Sequence, residues 1–318
     1  MQRPSPAEAA LVAAIDQTTM VARVEQWSAI GSGTGNLPGL ARQANALGEA
    51  LAALPGEIGF AEPAPVEAVA PDGRVVEQAN GRAIALRVRP DAARRVLLTG
   101  HMDTVFAIDH PFQAPRWLDG DTLNGPGVAD MKGGLAVMIA ALEAFEASPA
   151  AANLGYDVLV NADEETGSLA SAALIAGLAQ GKAAALTYEP ALYMDGTLAG
   201  ARGGSGNYSA VVTGRATHAG RNPREGRNAV VAASDLALRL KAMETASLTL
   251  NPARIDGGSA NNVVPYHAVL RFNLRPQSPE DAERFSRAIY GVLREIELEH
   301  EVEIVLHGGI TRPPKPLT

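Results

Sequence analysis

Apolar residues recur at helical spacing in the first part of the chain, where Ala9, Leu11, Val12 and Ile15 follow Ser5, and the pattern predicts a helix over 6–27. A second helical stretch at 38–53 precedes strand-like runs at 64–70, 82–89 and 95–100. Helix 131–146, strand 156–162, helix 168–179 and strand 183–188 then alternate, which is the pattern of crossover units feeding a largely parallel sheet. In such sheets ligands bind at the carboxyl ends of the strands. Beyond about residue 198 the order changes to strand 206–213, helix 225–244, strand 247–256, strand 264–274, helix 279–297 and strand 301–307. This is the β-α-β-β-α-β order of ferredoxin-like domains. The reading is an α/β domain with a mostly parallel sheet flanked by helices over 1–198, a smaller α+β ferredoxin-like domain over 199–309, and an extended tail at 310–318.

At 318 residues the chain is long enough for two cores, and 47% hydrophobic against 19% charged residues lets it bury them. No apolar run approaches the ~20 residues of a membrane span. A net charge of −8 argues against binding a phosphate backbone, so neither nucleic acid nor membrane is an expected partner. Cysteine is absent, so any metal must be held by His, Asp or Glu, and the composition fits a cytoplasmic location. Residues 1–16 lack the continuous apolar core of a signal peptide. The glycine-rich Ser32-Gly33-Thr34-Gly35-Asn36 lacks the Gly-Lys-Ser/Thr ending of a phosphate loop and reads as a plain loop.

Polar chemistry collects where the predicted strands end. Strand 95–100 runs into His101-Met102-Asp103-Thr104, where His101 could bind a metal and Asp103 could accept the other imidazole N–H, although a plain strand-end turn has the same residues. Asp130 sits among glycines ahead of a helix, as a cap or as a carboxylate able to bridge two cations. Strand 156–162 ends in Asp163-Glu164-Glu165, a run of negative charge without a basic neighbour, where one glutamate could ligate and the other act on water. Glu189, followed by Pro190, ends a further strand. Sheet topology would gather all these ends together.

Together, His101-x-Asp103, Gly-x-x-Asp130-x-Lys132-Gly-Gly, Glu164-Glu165-x-Gly167 and Glu189-Pro190 resemble the two-zinc metallopeptidase family of aminoacylase, carboxypeptidase G and succinyl-diaminopimelate desuccinylase, and most closely its carboxypeptidase G branch. The resemblance implies two Zn²⁺, with Co²⁺ or Mn²⁺ as substitutes, bridged by Asp130, with His101 and Glu189 on one and Glu165 on the other. It makes Glu164 the general base, Asp103 the partner of His101, and the Asp130–Met131 peptide cis. The smaller domain becomes a lid and dimerisation domain, in which His218 of Ala216-Thr217-His218-Ala219-Gly220 stabilises an oxyanion in a neighbouring subunit. Asn262 would hold substrate and Arg275 would grip its carboxylate.

The family places one more histidine on the second zinc after the chain returns from the lid, so 310–318 reads as the start of that return and the second metal site is incomplete in this chain. By the same resemblance the chain is expected to be either a fragment lacking roughly a further quarter of its length or a naturally shortened form. His267, His300 and His307 fall on lid strands or helix ends and His110 in a loop, and none is assigned a role. The expected activity is hydrolysis of an N-acyl amino acid or small peptide with a free carboxylate, of the glutamate carboxypeptidase type, by a homodimer. The alternatives are an aminoacylase or desuccinylase, or a non-catalytic metal-binding dimeric scaffold.

Overall fold

The computed structural model describes residues 4–197 and 200–317. The chain divides into two compact units, Met1–Val66 with Gln78–Ala191, and Glu67–Glu77 with Leu192–Thr318. The boundary expected at Leu198/Ala199 lies outside the described residues. In chain order the elements are α1 (Pro6–Ala13), α2 (Gln17–Ser28), α3 (Leu37–Leu51), β1 (Glu57–Ala61), β2 (Glu67–Val69), β3 (Val75–Glu77), β4 (Ala83–Val88), β5 (Arg95–His101), β6 (Arg116–Trp117), β7 (Leu123–Asn124), α4 (Gly133–Glu146), β8 (Gly155–Asn161), α5 (Ala172–Ala179) and β9 (Ala184–Thr187). They continue with β10 (Ser205–Thr213), α6 (Ala229–Ala242), β11 (Leu248–Gly257), β12 (His267–Pro276), α7 (Pro279–His300) and β13 (Glu303–Arg312).

The first unit is built on a five-stranded sheet of order β1-β4-β8-β5-β9. β8, β5 and β9 are mutually parallel, whereas β4 pairs antiparallel with both β8 and β1, so the sheet is mixed. Every residue of β8 is buried, as expected of a central strand covered on both faces. Alternate residues divide between two cores. Ile84, Leu86, Leu98, Val158 and Val160 pack with Leu40, Leu47, Leu135 and Ile139 of α3 and α4, while Ala83, Leu97 and Leu159 meet Leu174, Ile175 and Leu178 of α5.

Local side-chain chemistry moves several predicted boundaries. The single helix expected over 6–27 is two, because the Asp16 carboxylate takes the Thr18 amide at 2.9 Å and caps a new helix. The strand expected over 64–70 shrinks to β2, since Pro63 and Pro65 have no N–H for a ladder, and β1, which the pattern did not predict, pairs with β4 ahead of it. Helix 225–244 starts at Ala229, where Asn228 accepts the Val230 and Val231 amides at 3.1 Å.

In the second unit a four-stranded antiparallel sheet of order β11-β12-β10-β13 carries α6 and α7 on one face, which is the ferredoxin-like arrangement. α7 presents Phe285, Ile289, Leu293 and Ile296 as a helical stripe against Leu270, Phe272 and Leu274. The hairpin β2–β3 groups with this unit, and Arg271 Nη2 donates to the Val69 carbonyl at 2.8 Å. Phe272 is 2% exposed and stacks on Tyr208 with ring centroids 5.1 Å apart. Phe272→Ala should therefore cost ~3–5 kcal/mol, read as a lowered denaturant midpoint. A loss below ~1 kcal/mol would mean that this cluster is not close-packed.

Candidate metal centre

Sheet register brings the polar strand ends together. His101 closes β5 level with Asn161 at the end of β8, and Thr99 is level with Thr187 on β9, which sets Glu189 level with His101 two residues further on. Close packing keeps these ends in place. A Cβ on Gly134, at the start of α4, would lie 1.9 Å from the Tyr188 carbonyl oxygen, so only glycine lets β9 run this close to the Asp130 turn. The Asp130–Met131 peptide is cis.

His101 is 1% exposed, and its Nδ1 lies 3.0 Å from the Asp103 carbonyl oxygen, which can only accept. Nδ1 therefore carries a hydrogen, so that once Nε2 gives up its own proton its lone pair faces the neighbouring carboxylates. Nε2 is 3.0 Å from Asp130 Oδ1 and 3.7 Å from Glu189 Oε1. His101, Asp130 and Glu165 offer ligand atoms all within 4.8 Å of one another, and so do His101, Glu164 and Glu189. Both adjacent glutamates thus come within ligand reach of the histidine, each paired with a different second carboxylate.

Asp103, fully buried, ties this arrangement together. Its Oδ1 lies 3.3 Å from His101 Nδ1 and accepts the Glu164 amide at 3.2 Å, while Oδ2 accepts the Glu165 amide at 3.1 Å and the Thr34 hydroxyl at 2.7 Å. Asp163, which the sequence grouped with the acidic run, is instead structural. Its buried carboxylate takes the Ala170 and Ser171 amides at 2.8 and 3.2 Å and the Ser171 hydroxyl at 2.7 Å, which also delays the start of α5 to Ala172. Lys132 is buried as well, with Nζ donating to the carbonyls of Trp27 and Ile30 at 3.0 and 2.9 Å, and burial pushes its ammonium down to about 7.

The charges of this set call for a cation. Burial, opposed by the His101 charge and reinforced by the Asp130, Asp103 and Glu164 carboxylates, pushes Glu165 up to about 7. Burial raises Glu189 to about 7 as well, again against His101 and with Asp130 and Glu164. Burial would depress the His101 imidazolium, but hydrogen bonds to Asp103 and Asp130 and the charges around it outweigh that and lift it to about 11. Protons therefore stand where positive charge is wanted. An imidazole nitrogen with carboxylate oxygens is a donor set that suits zinc, cobalt or manganese.

Among the described residues no other histidine joins these groups. His110 accepts the Phe112 amide at 3.1 Å in an exposed loop, and His267, His300 and His307 belong to the second unit. A third cluster, Asp235, Glu299 and His300, is already bridged by the Arg239 guanidinium and reads as an ion-pair network joining α6 and α7. In the second unit, His218 and Asn262 lie on loops that meet through the Ala219 amide and the Asn262 carbonyl at 2.9 Å. His218 Nδ1 accepts the Gly220 amide at 3.1 Å, which leaves Nε2–H as its donor. Arg275 is exposed near the other end of β12, with Nε donating to Asn273 Oδ1 at 2.7 Å. The structure thus pairs His218 with Asn262 and places Arg275 apart from both.

Residues 83–219 match the model of peptidase family M28, and residues 200–301 match a peptidase dimerisation domain. The chain is 31% identical over 297 residues to carboxypeptidase G2 from Pseudomonas sp. (strain RS-16), covering 92% of this chain and 69% of that protein. It is 28% identical over 237 residues to succinyl-diaminopimelate desuccinylase from Maricaulis maris, covering 68% of this chain and 60% of the relative. The fold is shared with an M20 family metallo-carboxypeptidase from Sulfolobus solfataricus, with a TM-score of 0.66, 15% identity, and coverage of 92% of this chain and 78% of that one.

A pH dependence follows from the raised groups. In the metal-free chain Glu165, Glu189 and His101 hold protons more tightly folded than unfolded, so their contribution to stability is full below pH ~4.5 and fades as pH rises through about 7 and then about 11. Zinc held by these groups would have to displace those protons, so any zinc-induced rise in melting temperature should grow from pH 5 to pH 8, as scanning calorimetry would show. A rise independent of pH would mean that these groups are not the ligands.

Proposed function

The chain belongs to the metallopeptidase family of carboxypeptidase G2, metal-dependent amide hydrolases, and on that premise we propose that it cleaves the amide bond of an N-acyl amino acid or small peptide bearing a free C-terminal carboxylate. The observation that supports this most is the convergence of Asp130, from the turn before α4, with His101, Glu164, Glu165 and Glu189 at the carboxyl ends of three parallel strands. In this reading His101, Asp130, Glu165 and Glu189 would hold zinc. Zinc bound there supplies Lewis acidity that polarises a carbonyl and eases deprotonation of water.

Glu164, held through its backbone amide by Asp103, takes the proton of the attacking water and returns it to the departing amine nitrogen. Asp103 fixes the His101 tautomer so that Nε2 faces the ligand carboxylates. His218 would donate its Nε2–H to the oxyanion of a tetrahedral intermediate, Asn262 would hold the substrate amide, and the Arg275 guanidinium would pair with the free carboxylate. A homodimer formed through the domain at 200–301 is part of this proposal. A glutamate-releasing specificity fits the carboxypeptidase G2 relationship, and an N-deacylase specificity fits the desuccinylase relationship.

The test is hydrolysis of glutamyl peptides and N-acyl amino acids by the zinc-loaded chain. Glu164→Gln should lower kcat ~10²–10⁴-fold while leaving zinc affinity within a few-fold. Arg275→Ala should raise KM ~10–100-fold for substrates with a free carboxylate and leave carboxamide analogues unchanged. Unchanged turnover in Glu164→Gln removes it as the base, and silence of the zinc-loaded chain toward the whole panel defeats the hydrolase reading.

A further inference from the structure

The loop at 31–36, whose composition suggests only flexibility, is bonded into the metal centre along its length. It forms an isolated parallel bridge with Gly33 opposite Thr104, the Thr104 amide on the Ser32 carbonyl and the Thr34 amide on the Thr104 carbonyl, both at 3.1 Å. The Ser32 hydroxyl donates to the Met102 carbonyl at 2.8 Å. Gly33 has no room for a side chain, since a Cβ there would lie 1.9 Å from the Phe106 carbonyl oxygen. From behind, Lys132 holds the approach to the loop through the Trp27 and Ile30 carbonyls. The one side chain that the loop directs at the centre is Thr34, whose hydroxyl donates to Asp103 Oδ2 at 2.7 Å.

We propose that Thr34 is a positioning residue of the metal centre, its hydroxyl setting the rotation of the Asp103 carboxylate so that Oδ1 serves His101 and the Glu164 amide while Oδ2 serves the Glu165 amide. Asp103 contacts each of those groups through a specific oxygen, at 3.3, 3.2 and 3.1 Å. Turning the carboxylate would loosen the imidazole and the glutamate turn together. The shortest of its contacts is the Thr34 hydroxyl, and the buried Oδ2 would otherwise keep only the Glu165 amide. Partners of metal ligands typically govern metal affinity by ~10–100-fold, and Thr34 acts one bond further out, so ~10-fold is expected. The inference rests on the metal-hydrolase reading of this site and deepens it.

The test measures the zinc dissociation constant of the metal-depleted full chain by competition titration, the melting temperature of that metal-depleted chain, and kcat and KM. Thr34→Val, which keeps shape and removes the hydroxyl, should weaken zinc binding ~10-fold and lower kcat with KM within ~2-fold. Thr34→Ser should restore both. In an Asp103→Asn background Thr34→Val should add less than ~2-fold to the zinc constant, since its effect passes through Asp103. If Thr34→Val does not fold, Thr34→Ala is compared with Thr34→Ser on the same readouts. Zinc affinity within ~2-fold of the unmodified chain, equal weakness in Thr34→Ser, or full additivity with Asp103→Asn would each overturn the role. A lowered melting temperature with unchanged zinc affinity would also overturn it, by making Thr34 purely structural. Failure of the unmodified chain to bind zinc would overturn the hydrolase reading and this role with it.

Discussion

Asp103 is a carboxylate with no exposed surface, and a charge so placed is tolerated only when hydrogen bonds replace its water. It obtains them from three separate stretches of chain: the imidazole at the end of β5, the Glu164 and Glu165 amides beyond β8, and the Thr34 hydroxyl in the loop between α2 and α3. Removing a partner from a buried ionic group typically costs ~3–5 kcal/mol, because the remaining charge stays buried. The penalty for misplacing any of these stretches is therefore local and steep. What the sheet brings near by register, this one carboxylate fixes in orientation.

That rigidity has an opposing cost. His101, Asp130, Glu164, Glu165 and Glu189 crowd together, and the raised Glu165 and Glu189 show that burial and mutual repulsion make full ionisation unfavourable in the metal-free chain. The protonated His101 partly offsets this, acting as the local cation. A dication held there would replace a weak, proton-borne compensation with a strong one, so the geometry that is strained electrostatically without metal is one that a dication would relieve. Asp163 shows the contrast within one turn. It neighbours the same glutamates, yet its oxygens are saturated by amides and hydroxyls, and it has no share in that demand.

The order of elements and the polar strand ends were legible because both depend on short-range pattern: apolar runs for β5 and β8, and polar residues where those runs stop. The mixed direction of the sheet was not, since the antiparallel attachment of β1 and β4 is a tertiary choice that neither strand's composition records. The break at Asp16 was readable in principle, as an aspartate followed by Thr18 and Thr19 is a cap signal inside an otherwise helical pattern. Thr34 was not readable. Its partner lies 69 residues away, and a glycine-rich loop looks the same whether it is free or stitched to a neighbour. The separation of Asp163 from Glu164 and Glu165 likewise needed Asn161, Ser168 and Ser171 to be seen around it.

The second unit constrains how its proposed residues can work. His218 and Asn262 sit on joined loops at the His267 end of β12, whereas Arg275 is eight residues along that strand, or roughly 27 Å at the usual rise. An N-acyl amino acid spans far less than that between its scissile carbonyl and its free carboxylate. On the proposed roles, one copy of this unit would not present both His218 and Arg275 to the same small substrate. If both roles hold, each site draws them from two copies, and the match of residues 200–301 to a dimerisation domain acquires a chemical reason: a lone chain would lack one end of its own substrate clamp.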